Sequence, residues 1–128
     1  MRVRTFLDAG VLIAGARATG DEQARVLRIL EDPDRLFVAS PFLYLELVPK
    51  AAFNKRRLEK AFYDEYFNAA ESVRTVDAIV SLALTEAERV GLGAIDALHL
   101  AAAHLAGCAQ FITTEKPRPE SRTVIMTL

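Results

Sequence analysis

Cysteine is nearly missing from this chain: Cys108 is the only one in 128 residues. That excludes an intrachain disulfide and any cysteine-based zinc site, and it fits a reducing compartment. Histidine is almost as scarce, with only His99 and His104, and their spacing matches no His-based zinc motif. None of the six glycines builds a Gly-rich phosphate loop, and no Ser/His/Asp array is present. An excess of one charge is lacking too. Lys plus Arg number 16 against 17 Asp plus Glu, a net charge of −1. This gives no global ground for polyanion binding, although a local basic patch remains open. Long hydrophobic runs are also wanting. The longest stretch free of Asp, Glu, Lys and Arg, from Ala97 to Thr114, carries both histidines, a Gln and a Gly. It reads as a helix followed by a strand, not as a membrane span. The opening MRVRTFLDAGVLIAGARA imitates a secretory leader, but Asp8 interrupts its apolar segment. A cytoplasmic location, with no membrane partner, is the expectation.

What is there suits one globular α/β domain spanning residues 1–128. The apolar fraction is 52% and the charged fraction 26%, and a chain of this size buries enough surface to need no staples. Strand-like segments alternate with helical ones. Strands are expected at 2–7, 36–39, 73–76, 109–113 and 123–127. Helices are expected from Val11 to Ala16, and from a cap at Asp21 to about Leu30 with Ala24, Leu27 and Leu30 on one face. Ser40-Pro41 marks a further helix start, N-cap then first turn, with a kink or break at Pro49. Lys55 to Ala70 carries an apolar stripe of Leu58, Ala61, Phe62, Tyr66 and Ala69, widened by Tyr63 and Phe67. Asp77 is expected to cap a helix over 78–90, ended by Gly91, and a last helix runs from Ala94 to Leu105. This alternation predicts a mainly parallel sheet of about five strands flanked by helices. Ligands of such sheets bind beyond the carboxyl ends of the strands.

Acids stand at those places. Asp8 follows the first strand, in FLDAGVLI. Glu46 lies in the helix after the second, in LYLELV. Asp96 opens the helix before the fourth, in GAIDALHL, and Glu115 follows that strand, in FITTEK. Four carboxylates converging on one pocket repel unless a cation stands between them, and hard divalent ions want oxygen ligands. Each acid also has a plain structural role open to it. Glu46 is spaced to pair with Lys50, Asp96 suits the first turn of a helix, Glu115 suits a solvated loop, and Asp8 can accept from turn amides. His99, one turn after Asp96, is placed to orient an acid, to touch a phosphate or to pack in the core. Cys108 reads as a small core residue.

The segment GLGAIDALHLAAAHLAGCAQFITTE, together with FLDAGVLI and SPFLYLELVPKA, resembles the PIN domain family. The compact chain is similar to the toxin nucleases of VapBC-type toxin–antitoxin pairs. The resemblance covers nearly the whole sequence. It implies metal-dependent endonucleolytic cleavage of RNA with Mg²⁺ or Mn²⁺, leaving 5′-phosphate and 3′-hydroxyl ends. Asp8 and Asp96 would be the principal metal ligands, Glu46 would bind directly or through water, and Glu115 would complete the acidic pocket. It also implies a cognate antitoxin and a homodimer.

The sequence departs from the family pattern in three respects. Ala9 and Gly10 stand where members usually carry a hydroxyl and another polar residue. Losing such support for a ligand commonly costs about 10–100-fold in affinity or activity. Glu115 replaces the usual Asp, and the following KPRPESR is short and rich in proline. Thr113 and Thr114 keep hydroxyls near the site. Lys50, Lys55, Arg56, Arg57 and Lys60 form a basic run suited to RNA phosphates or, alternatively, to a solvated helix face. Tyr63, Tyr66 and Phe67 supply aromatic surface for the core, a dimer or an antitoxin. The alternative to a nuclease is a catalytically weakened PIN fold that binds RNA or protein.

Overall fold

A computed structural model of the chain describes residues 1–115 and the strand at 124–127. The expected start of the last strand at Thr123 and the KPRPESR segment lie outside the described residues. Five strands form one sheet: β1 (Val3–Leu7), β2 (Arg35–Ala39), β3 (Glu71–Ser72), β4 (Gln110–Thr113) and β5 (Val124–Thr127). Their order is β3-β2-β1-β4-β5, and every neighbouring pair is parallel. The chain steps outward from β1 to β2 and β3, then returns to the other side of β1 for β4 and β5. The order therefore reverses at β1 and β4, where a parallel sheet opens a crevice at its carboxyl end.

Six helices flank the sheet: α1 (Ala9–Arg17), α2 (Gly20–Leu30), α3 (Pro41–Phe53), α4 (Arg57–Ala69), α5 (Val76–Val90) and α6 (Ala94–Leu105). Phe6 and Leu7 of β1, Leu12 of α1, Leu43 of α3, Ile79 of α5 and Ile112 of β4 are fully buried around that sheet. Phe6 stacks on Phe111 of β4, with ring centroids 5.5 Å apart. Ala97, Ala101, Ala102 and Ala103 let α6 sit close against its neighbours. Cys108 is buried as expected, and burial pushes its thiol up to about 11, so it is a poor nucleophile.

Several local expectations needed correction. Pro49 does not break α3, which continues to Phe53. Leu45 and Pro49 both face solvent, so water can serve the carbonyl that loses its donor, while buried Leu47, Val48 and Ala51 hold the helix to the core. The third strand is the polar pair Glu71–Ser72, earlier than expected and paired with Val38 and Ala39. It ends as the Val73 N–H bonds to the Ala39 carbonyl. Its edge position is set by backbone pairing, not by an apolar pattern. The face of α4 also differs in part. Tyr63 and Tyr66 are buried as expected, but Leu58 is 89% exposed, Ala61 and Ala69 face solvent, and Glu59 is buried. In α2, Val26 is the buried residue and Leu27 is exposed. Thr19 and Thr75, not Asp21 and Asp77, occupy the N-cap positions, and the two acids lie in the first turns. The Ser40 N-cap is as expected, its hydroxyl accepting from the Leu43 N–H at 3.2 Å.

Candidate functional site

Asp8 ends β1 and is itself the N-cap of α1, which starts two residues earlier than expected. Its Oδ1 accepts from the Ala9 N–H at 2.7 Å, so the turn-amide role is real. Its Oδ2 accepts from the Thr113 hydroxyl of neighbouring β4 at 2.9 Å. The Thr113 oxygen in turn accepts from the Glu115 N–H at 3.0 Å. A short chain of bonds thus fixes the Asp8 carboxylate against the strand end that carries Glu115. Thr113 is buried, so this hydroxyl is shielded from competing water.

Gly10 is explained by the same strand end. A Cβ on Gly10 would stand 2.4 Å from the Thr114 hydroxyl oxygen. The Thr114 hydroxyl fills the space that a side chain at position 10 would take. Ala9 is buried and offers no hydroxyl. The polar groups near Asp8 therefore come from β4 and its end, not from the start of α1.

Glu46 projects from α3 toward α6. Its Oε1 lies 2.7 Å from Nε2 of His99. His99 is 1% exposed and packs near Phe6, with ring centroids 5.8 Å apart. Its Nδ1 is buried with no partner among the described residues. A carboxylate only accepts, so Nε2–H of His99 is the donor in this contact. Glu46 turns to this core-anchored ring and not to Lys50. A contact spanning 53 residues leaves no local signal in the sequence.

Asp96 lies half-buried in the first turn of α6, with one oxygen 4.0 Å from where a Cβ on Gly93 would stand. That position also favours the helix dipole. The structure thus joins Asp8, Thr113 and the Glu115 backbone in one unit, and Glu46 and His99 in another. Among the described residues, no three His, Cys, Asp or Glu side chains stand close enough together to hold a metal ion. The donor set fits a hard divalent cation in kind, since every candidate ligand offers oxygen. Asp8 and Glu46 are held by an amide, a hydroxyl and an imidazole, which leaves carboxylate lone pairs for a cation.

The basic run is spread out. Glu59, 7% exposed, binds Arg17 at the last turn of α1 through two guanidinium nitrogens, and Arg56 stands 3.7 Å away on its other side. These cations hold its carboxyl below the usual range, the Arg17 hydrogen bond contributing most. Nine residues of α1 span about 13 Å, so Arg56 and Glu59 lie at the end of α1 away from Asp8. Lys60 pairs with Asp64 at 2.7 Å, which with the neighbouring Tyr44 phenol raises its pKa. Lys50 is exposed one turn beyond Glu46, while Lys55 and Arg57 are exposed at the α3–α4 turn. Tyr63 and Tyr66 belong to the core, and Phe67 alone of the three reaches toward the surface.

With the geometry of strand ends and acids in hand, relatives can be placed. The model of the PIN domain family matches residues 5–116. The chain belongs to the PIN domain family. Among solved structures, this PIN domain is similar to VapBC2 from Rickettsia felis, bound to a DNA fragment from its promoter, with 16% identity, 98% of both chains covered and a TM-score of 0.73. It is also similar to a toxin–antitoxin complex from Klebsiella pneumoniae, at 17% identity, 96% of both chains and a TM-score of 0.70. A third is Mycobacterium tuberculosis VapC20, a toxin that cleaves the sarcin–ricin loop, at 13% identity, 88% of this chain and 89% of that one, and a TM-score of 0.68. At such identities the likeness establishes the shared fold alone. No curated protein matches the chain. Among the described residues, no helix is long and apolar enough to cross a membrane.

Proposed function

We propose that this PIN domain is a metal-dependent endoribonuclease and the toxin of a toxin–antitoxin pair. The observation that carries this is Asp8, tied through Thr113 to the Glu115 strand end at the point where the strand order reverses. Asp8, Asp96, Glu46 and Glu115 would hold Mg²⁺ or Mn²⁺ once their side chains swing together, since the described acids are not gathered at one point as they stand. When bound, the cation supplies a more acidic water and positive charge for the phosphate. The protein's own part is positional. Thr113 and the Ala9 amide fix both oxygens of Asp8, and buried His99 fixes Glu46. Both acids are thereby ordered before substrate arrives.

The solved relatives support the assembly. VapC20 is an RNA-cleaving toxin, and the Rickettsia and Klebsiella structures are toxin–antitoxin complexes. An antitoxin and a second copy are the proposed protein partners, in the cytoplasm. The apolar row Val76, Val80 and Leu84 on α5 is exposed at helical spacing and suits such a contact. The catalytically weakened module is the second candidate, and Ala9 and Gly10 favour it.

Incubating the purified chain with structured RNA and Mn²⁺ or Mg²⁺ separates the two. Cleavage is expected, with 5′-phosphate and 3′-hydroxyl ends, falling by at least about 100-fold in Asp8→Asn and Asp96→Asn. Activity unchanged in either variant would sink the nuclease. Tight RNA or protein binding with no turnover under any divalent ion would establish the module.

A further inference from the structure

A cleft of about 370 Å³ opens at the carboxyl end of β2 and β3, on the same edge of the sheet as Asp8. Ser40 and Tyr44 line it from α3, Phe67 and Asn68 from α4, Ser72 from β3, and Arg74 from the loop beyond. Its volume is at the small end of the usual ligand range of roughly 300–1,000 Å³.

The cleft has a rigid aromatic wall. Tyr44 is 44% exposed, and its ring is held edge-on by Phe67 at 5.2 Å and 68°. Phe67 meets Tyr66 at 5.6 Å, and Tyr66 meets Phe37 of β2 at 5.8 Å. Four rings thus run from the sheet to the cleft, so little ordering is left for a ligand to impose on Tyr44. Arg74 is exposed and makes no ion pair among the described residues, unlike Arg4, Arg17, Arg35, Arg56 and Arg89. Asn68 and Ser72 add exposed donors and acceptors beside the ring. A half-open aromatic face, a planar cation and an amide together are the set that receives an unstacked base with its phosphate. At about 4.8 Å between strands, β2 and β3 lie about 5–10 Å across the sheet from β1, which carries Asp8.

We propose that this cleft binds one unstacked base of single-stranded RNA, a nucleotide or two from the phosphate that faces Asp8. The base stacks on Tyr44, Asn68 and Ser72 meet its edge, and Arg74 takes the adjoining phosphate. The proposal rests on RNA being the substrate of the carboxylate site.

The test is a titration of the full chain with the four common nucleoside 5′-monophosphates and with ribose 5-phosphate, read by backbone-amide shifts. Shifts centred on Phe67, Asn68 and Ser72 are expected with nucleotides and not with ribose 5-phosphate, which should move Arg74 at most. Tyr44→Ala should weaken binding about tenfold or more, Tyr44→Phe should retain it, and Arg74→Gln should weaken it several-fold. On RNA, Tyr44→Ala should raise KM with kcat little changed. The proposal falls if shifts are absent at millimolar nucleotide, lie elsewhere, persist undiminished in Tyr44→Ala and Arg74→Gln, or are matched by ribose 5-phosphate. Cleavage assays on the same samples keep the two ideas apart. Nucleotide binding here without cleavage defeats only the nuclease, and cleavage without binding here defeats only the cleft.

Discussion

Glu59 and Asp8 are both acids set into largely apolar surroundings at opposite ends of α1, and they are stabilised in opposite ways. Glu59 is buried and neutralised by the guanidinium of Arg17, with Arg56 close by. Asp8 is half-buried and, among the described residues, accepts from an amide and a hydroxyl. Glu71 follows the first pattern, gripped by two nitrogens of Arg4 at 3.0 Å each. Glu46 follows the second, meeting the imidazole of His99 among the described residues. An acid that serves the fold is matched by a permanent cation. Among the described residues, Asp8 and Glu46 are instead oriented by an amide, a hydroxyl and an imidazole, none of them a permanent cation.

The contrast can be broken first at Glu59. Glu59→Gln should cost about 1–3 kcal/mol of stability at neutral pH, discounted because Arg17 is half-exposed. Because the folded-state pKa of Glu59 is lowered, its contribution is present above the unfolded value and lost as pH falls through the folded one. The gap between variant and native chain should therefore close in acid, as measured by denaturant unfolding across pH. A gap that does not change below pH about 4 would contradict the ion-pair account.

Thr113→Val is the next largest. It should cost about 1 kcal/mol, by freeing one Asp8 oxygen and the Glu115 N–H. Its functional cost should be larger, about 10–100-fold in metal affinity or turnover. Equal loss in Thr113→Ser would show that the methyl, not the hydroxyl, is what matters.

Gly10→Ala should be nearly neutral in thermal denaturation, within about 0.5 kcal/mol. The gain in helix propensity offsets the need to turn the exposed Thr114 side chain aside. If the Thr114 hydroxyl serves the site, activity should fall in Gly10→Ala and in Thr114→Val, and fall no further in the double variant. Additive losses would place the two residues in separate roles.

The frame of this molecule was legible where a residue's role is local. Ser40-Pro41 announces the start of α3, Gly91 ends α5 in the left-handed region with φ of 70°, and Asp8 stands out inside its apolar segment. Features that depend on distant partners were not. The aromatic part of the α4 face was read correctly, but its first turn was not, because Arg17, far away in sequence, lets Glu59 be buried while Leu58 is exposed. The edge strand Glu71–Ser72 carries no apolar alternation, so only its pairing with β2 defines it. The elements that carry Asp8, Glu46, Asp96 and Glu115 could be read, but not that His99 would be committed to Glu46. Nor could the sequence show that Thr114 occupies the space left by Gly10.

The most direct measurement is thermal unfolding of the native chain and of Asp8→Asn, each with and without Mn²⁺. A ligand that binds only the folded state raises the melting temperature. Mn²⁺ should stabilise the native chain, and Asp8→Asn should fold about as well as the native chain without metal but gain nothing from Mn²⁺. An Asp8→Asn variant that is destabilised as much as Glu59→Gln, and that still responds fully to Mn²⁺, would show that Asp8 serves the fold and not the cation.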